Sequence, residues 1–169
     1  MITPKWIPGE MPTQKILDAC CGSRMFWKKR DRQDVLFMDI RKEVNTLCDG
    51  RKLVIDPDIV ADFRNMPFPD KSFRLVVFDP PPLINLGENA WMAKKYGRLN
   101  KDTWKDDLRR GFDECLRVLD DDGVLILKWN TKDIPASALF SALGKEPLFG
   151  SLSGKSGKTL WCVYVKGME

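Results

Sequence analysis

The residues best placed for chemistry are four aspartates, Asp18, Asp39, Asp62 and Asp79. Each closes a short apolar run: "KILDA", "DVLFMDI", "DIVAD" and "FRLVVFD". Continuously apolar runs that end in an acid suit central parallel strands covered on both faces, and such strands would bring the four carboxylates to one rim. After the first run, the turn through Gly22 brings backbone N–H groups close to a ligand, because glycine lets the chain approach without a Cβ clash. Asp39 lies 17 positions past Gly22, where an acid ending a second strand accepts the two hydroxyls of a ribose. The same carboxylate could equally serve as an N-cap or close an Asx turn before "RKEV".

Other chemistries fit less well. The five cysteines, at 20, 21, 48, 115 and 162, contain no CxxC pair, and the chain has no histidine, so no metal site is expected. Cys20 and Cys21 read as small buried residues in a tight turn rather than a redox pair. The stretch "SGKSGKT" is not a phosphate loop. The glycine required five positions earlier is Phe149 for Gly154 and Leu152 for Gly157, and a strand rather than a helix follows. Residues Ser151 to Lys158 read instead as a mobile basic loop.

The elements that must hold these residues follow from periodicity. With 169 residues and 43% hydrophobic content, the chain can bury one sizeable core, and a single domain over residues 1–169 is expected. Strands are predicted at Lys15–Ala19, Asp34–Ile40, Asp58–Asp62, Phe73–Asp79 and Gly123–Trp129. A helix begins near Thr103, where "TWKD" offers a capping box, and sets Trp104, Leu108, Phe112, Cys115, Leu116 and Leu119 on one face. Pro135, "ASALFSAL" and Gly144 frame a second helix. Asp49-Gly50 marks a hairpin turn, and "KTLWCVYVKG" reads as a C-terminal antiparallel strand at or beside the sheet edge. Strands alternating with helices give an α/β fold, a doubly wound, mostly parallel Rossmann-like sheet whose ligands bind beyond the carboxyl ends of the strands.

Charge and hydropathy narrow the setting. The net charge is +4, with clusters at Lys28–Arg32 and Lys94–Arg98. Each reads either as a solvated face or as a nucleic-acid footprint. No apolar run approaches the roughly 20 residues that span a bilayer, and "MITPKWIPGEMP" has prolines where a signal peptide needs an apolar helix. A soluble, unprocessed, cytoplasmic protein with no membrane partner is expected.

Taken in order and spacing, "ILDACCGS", "FMDIR", "VADFRNMPFPDKSF" and "VVFDPPP" resemble the successive motifs of class I S-adenosylmethionine-dependent methyltransferases, over nearly the whole chain. The resemblance implies S-adenosyl-L-methionine as cofactor and S-adenosyl-L-homocysteine as product. It implies that Asp18, Cys20 and Gly22 surround the methionine part and Asp39 holds the ribose. Asp62, with the backbone of Phe63, would face the adenine. Asp79-Pro80-Pro81-Pro82 resembles the (D/N/S)PP(Y/F/W) motif of enzymes that methylate exocyclic amino groups, most familiarly N6 of adenine. The plain alternative is a proline-rich stop after a strand.

The chain departs from the family at two places. The Gly-x-Gly-x-Gly turn is reduced to Cys20-Cys21-Gly22-Ser23-Arg24, where Arg24 would clamp the cofactor carboxylate or pair with a surface acid. The aromatic that would stack on a target base is Pro82, which has no π-system. Trp91, Tyr96 and Trp129 are the candidates to replace it, each with the alternative reading of a core residue. Lys94, Lys95 and Arg98 are placed beside the substrate opening.

The resemblance to compact phage-type methyltransferases without a separate target-recognition domain implies a nucleic-acid substrate, with a protein partner, a second copy or broad specificity completing recognition. The alternatives are methylation of a small molecule or a protein, or a non-catalytic cofactor-binding module. An NAD-dependent oxidoreductase fits poorly, because the first turn lacks GxGxxG.

Overall fold

A computed structural model of the chain describes residues 5–168 apart from Leu86, Glu88 and Asn89. The first four residues of "MITPKWIPGEMP" lie outside the described residues. The chain forms β1 (Ile16–Asp18), β2 (Val35–Asp39), β3 (Glu43–Thr46), β4 (Lys52–Ile55), β5 (Ile59–Val60) and β6 (Phe73–Phe78). It continues through α1 (Trp91–Tyr96), α2 (Trp104–Val118), β7 (Leu119–Asn130), α3 (Ala136–Leu143), β8 (Phe149–Ser153) and β9 (Thr159–Val165).

Seven strands make one sheet in the order β5-β2-β1-β6-β7-β9-β8. From β5 to β7 every neighbour is parallel, whereas β9 is antiparallel to both β7 and β8. The C-terminal strand therefore runs against the rest and sits one place in from the edge. The Asp49-Gly50 hairpin forms a separate antiparallel pair, β3 with β4, and Gly50 takes φ +81° at its turn.

One face of the sheet carries most of the core. Leu125, Leu127 and Trp129 of β7 and Leu160, Cys162 and Tyr164 of β9 alternate inward, as a half-buried strand requires. They meet Leu108, Phe112 and Cys115 of α2 and Leu139 and Leu143 of α3. The Phe112 and Tyr164 rings pack edge to face with centroids 4.9 Å apart. On the other face, Cys21, Val35 and Phe37 form a smaller cluster with Ile16 and Trp27. Among the described residues no helix follows β1 or β5. Turns make both of those crossovers, so the alternation of strand with helix is incomplete; the turn after β1 covers this second face thinly, whereas the segment after β5 packs Met66 and Phe68 into the larger core.

Three local readings need correction. β7 starts at Leu119 rather than Gly123, because Leu119 already pairs with Phe73 and a register shift between Phe73 and Leu75 absorbs the irregularity. The capping box at Thr103 does not form. Thr103 sits in the helical region and its hydroxyl donates to Asp107 Oδ2 at 2.7 Å. Ser151 to Ser153, read as part of a mobile loop, belong to β8 and pair with β9. The turn is confined to Gly154–Lys158, with Gly154 at φ +86° and Gly157 at φ +62°.

Candidate active site

β1 lies between β2 and β6, and Asp18 is in register with Phe37 on one side and Val77 on the other. Asp39 and Asp79 each lie two residues beyond those partners, so strand alternation puts all three carboxylates on the same face at the carboxyl rim. They line a cavity of about 730 Å³ together with Cys20, Gly22, Phe63 and the whole Pro80-Pro81-Pro82 run. Asp62 is not among the lining residues. Both its oxygens are held by Arg64 at 2.6 to 3.0 Å, which keeps its pKa below the ordinary carboxylate value, and Arg64 also donates to Asp107 at 2.7 Å.

The turn after β1 is built by crossing bonds. Ala19 N–H donates to the Val77 carbonyl at 2.9 Å and Cys21 N–H to Met38 at 2.8 Å. Gly22, at φ +48°, donates its N–H to Asp39 Oδ2 at 2.8 Å. The Oδ1 atom of Asp39 accepts from Arg41 N–H at 2.9 Å, so Asp39 closes an Asx turn and also borders the cavity. The two readings of this residue are compatible. Cys20 and Cys21 are both free thiols, and burial raises the pKa of each, which makes a thiolate at this turn unfavourable.

Asp18 is 1% exposed. Its carboxyl accepts from Trp27 Nε1 at 2.7 Å and from Cys20 N–H at 3.3 Å. Burial pushes its pKa up to about 7; the Trp27 bond opposes the shift, and the charges of Asp79 and Asp39 add to it. At Asp79, burial raises the pKa while Lys128, whose Nζ lies 2.6 Å from Oδ2, pulls it down. Lys128 also lines the cavity. It escaped the sequence reading, although a lone charge in the apolar run "LILKWN" is the kind of signal that marks a buried partner.

Arg24 does not line the cavity. It donates to the carbonyls of Arg30 at 2.9 Å and Asp56 at 2.7 Å, pairs with Asp58 at 3.6 Å and lies over the Phe37 ring. The surface-acid reading describes it, and the cofactor-clamp reading does not. The aromatics divide in a similar way. Trp129 borders the cavity but is 1% exposed and donates its Nε1 to the Ile134 carbonyl at 3.0 Å, as a core residue does. Trp91 lies outside the lining, Tyr96 is part of it, and Phe26, which the sequence did not single out, is a further lining ring.

Lys94, Lys95 and Arg98 line the opening from α1 and the segment after it, joined by Lys132 from the turn that follows β7. α1 is tied down from below, since Arg41 Nη1 donates to the Lys94 carbonyl at 2.9 Å. Gly97, at φ +75° and ψ −179°, is in a glycine-only region, and a Cβ there would meet Pro81 Cγ at 2.9 Å. The basic segment is thus fixed directly against the proline run.

Comparison with known proteins places the fold. No family model matches the chain, and no curated protein does. Among solved structures, the PH0226 protein from Pyrococcus horikoshii is 17% identical with a TM-score of 0.57, over 90% of this chain and 81% of that one. The N-methyltransferase NodS from Bradyrhizobium japonicum is 12% identical with a TM-score of 0.54, over 90% and 85%. A SAM-dependent methyltransferase from Methanosarcina mazei is 13% identical with a TM-score of 0.52, over 91% and 92%. At such identities the likeness establishes the fold, and this chain has the α/β fold of S-adenosylmethionine-dependent methyltransferases.

Proposed function

We propose that the chain is an S-adenosylmethionine-dependent methyltransferase acting on an exocyclic amino group of a nucleobase in DNA or RNA, of the N6-adenine type. The observation that carries this reading is that Asp79-Pro80-Pro81-Pro82 lines the same cavity as Asp18, Asp39 and the Gly22 turn, under a rim of lysines and arginine. The donor set fits the cofactor. Three carboxylates crowded at one rim suit a ligand carrying a sulfonium and an ammonium, and Asp39 suits a ribose diol. Phe63 offers an apolar wall for a purine. When bound, S-adenosylmethionine supplies an electrophilic methyl group.

The chain's own residues do the rest. An aromatic exocyclic amine is a poor nucleophile because its lone pair is delocalised into the ring. Asp79 and the Pro80 carbonyl accept hydrogen bonds from its two N–H groups, which favours a pyramidal nitrogen with the lone pair free. Prolines fix the direction of that carbonyl, and orienting the amine for in-line attack is an entropic contribution of several kcal/mol, of the order seen in intramolecular reactions. Asp79 faces the positive charge that develops on nitrogen, and after transfer the excess proton passes from the methylated nitrogen to bulk water.

The test offers single-stranded DNA, duplex DNA and RNA with labelled S-adenosylmethionine and identifies the methylated nucleoside by mass spectrometry. A methylated exocyclic amine is expected. Label found only in protein or in a small molecule would overturn the nucleobase reading.

A further inference from the structure

We infer that Lys128 is a positioning residue for Asp79, occupying one carboxylate oxygen so that the other alone is presented to the incoming amine. The inference rests on the role given above to Asp79, and it concerns a residue that the methyltransferase motifs do not include.

The geometry is specific. Lys128 lies on the thinly covered face of β7, opposite Trp161 of β9. Its Nζ sits 2.6 Å from Asp79 Oδ2, 6.0 Å from the Phe26 ring centroid and 5.9 Å from that of Trp161. The two rings lie 5.3 Å apart, so the ammonium is flanked by π-faces and aimed at the carboxylate. Both side chains of the pair keep about a third of their surface open, 30% for Lys128 and 29% for Asp79. With Oδ2 taken by the ammonium, Oδ1 is the oxygen left to a ligand in the cavity.

Such a cation has a job here that packing does not explain. Asp18 from β1 and Asp39 from β2 line the same cavity as Asp79. Burial already favours the protonated form of Asp79, and its charge is felt at the neighbouring Asp18 carboxyl. Without a cation Asp79 would hold its proton more tightly, and a protonated carboxyl would offer the amine a donor as well as an acceptor. Among the described residues Lys128 is the cation that pairs with Asp79. It keeps the carboxylate ionised and restricts its rotation at once.

The experiment labels aspartate carboxyls with carbon-13 and follows the Asp79 signal, identified with Asp79→Asn, through a pH titration. Lys128→Met, which keeps the length of the side chain, should raise the Asp79 titration midpoint by about one pH unit or more, and Lys128→Arg should hold it near wild type. With a methyl acceptor in hand, the acidic limb of kcat/KM should move up by the same amount in Lys128→Met. There kcat at neutral pH should fall about tenfold while cofactor affinity changes by less than about twofold. An Asp79 midpoint that stays put in Lys128→Met overturns the inference whatever the acceptor is. A shifted midpoint in a protein that methylates no nucleobase supports the pairing and overturns the nucleobase reading instead.

Discussion

Asp39 does two things with one carboxylate. It holds the Gly22 N–H at 2.8 Å, which shapes the first turn, and it borders the cavity where a ribose would sit. Asp39→Ala should therefore weaken S-adenosylhomocysteine binding by roughly 1.5–3 kcal/mol, the range for a hydrogen bond to a charged group. Titration calorimetry checks this, and unchanged affinity would remove Asp39 from the site. Asp18 makes a different prediction, in pH. Its folded pKa of about 7 lies above its ordinary value of 3.8, so between those values the folded protein holds this proton better than the unfolded chain. Stability from this group is greatest below about pH 4, falls as pH rises to about 7, and is flat above. Asp18→Asn, whose amide oxygen can still accept from Trp27, should remove that slope when urea unfolding is compared with wild type across the window. An equal slope in both proteins would contradict the burial argument. At this scale the sequence disclosed the rim acids, because strand-end carboxylates follow apolar runs. It could not disclose that Arg64 takes up Asp62 or that Lys128 reaches Asp79, since both partners are set by packing between elements.

Helix α2 was legible from its apolar stripe, and α3 from its proline start and its Gly144 stop, which takes φ +65°. β8 was not legible, because "FGSLS" has a glycine and two serines and gains its strand character only by pairing with β9. The helix-free crossover after β1 was also hidden, since turn residues there looked like the ordinary lead into a helix. α2 bears on the site through Gly111, where an added Cβ would run into the Phe63 ring and meet Phe78 Cζ at 3.0 Å. Alanine at this helical position would otherwise gain about 1 kcal/mol in propensity. Overpacking of about 1–3 kcal/mol should outweigh that gain, and the Phe63 ring has the cavity to move into. Gly111→Ala should lower the melting temperature and weaken S-adenosylhomocysteine binding several-fold. A variant that melts higher and binds as wild type would show that α2 has room at Gly111.

Across the whole molecule, the net charge of +4 is modest, and what matters is where the cations stand. Lys94, Lys95 and Arg98 face the cavity that holds the acid cluster, an arrangement that draws a polyanion to the rim while keeping the interior suited to a cation. If they touch phosphates, neutralising all three should weaken nucleic-acid binding and reduce the salt slope by about 0.7–0.9 for each phosphate no longer neutralised. An identical slope in the triple variant would mark them as a solvated face. In the proposed reaction Asp79 acts on the amine rather than on the fold or the cofactor. Because the Asp79–Lys128 pair is partly open to water, losing it should cost no more than about 1 kcal/mol of stability. The most direct measurement is labelled methyl transfer by Asp79→Ala alongside its S-adenosylhomocysteine affinity. Affinity and melting close to wild type are expected, with transfer reduced about 10²-fold or more, and full transfer by Asp79→Ala would contradict the role given to this carboxylate.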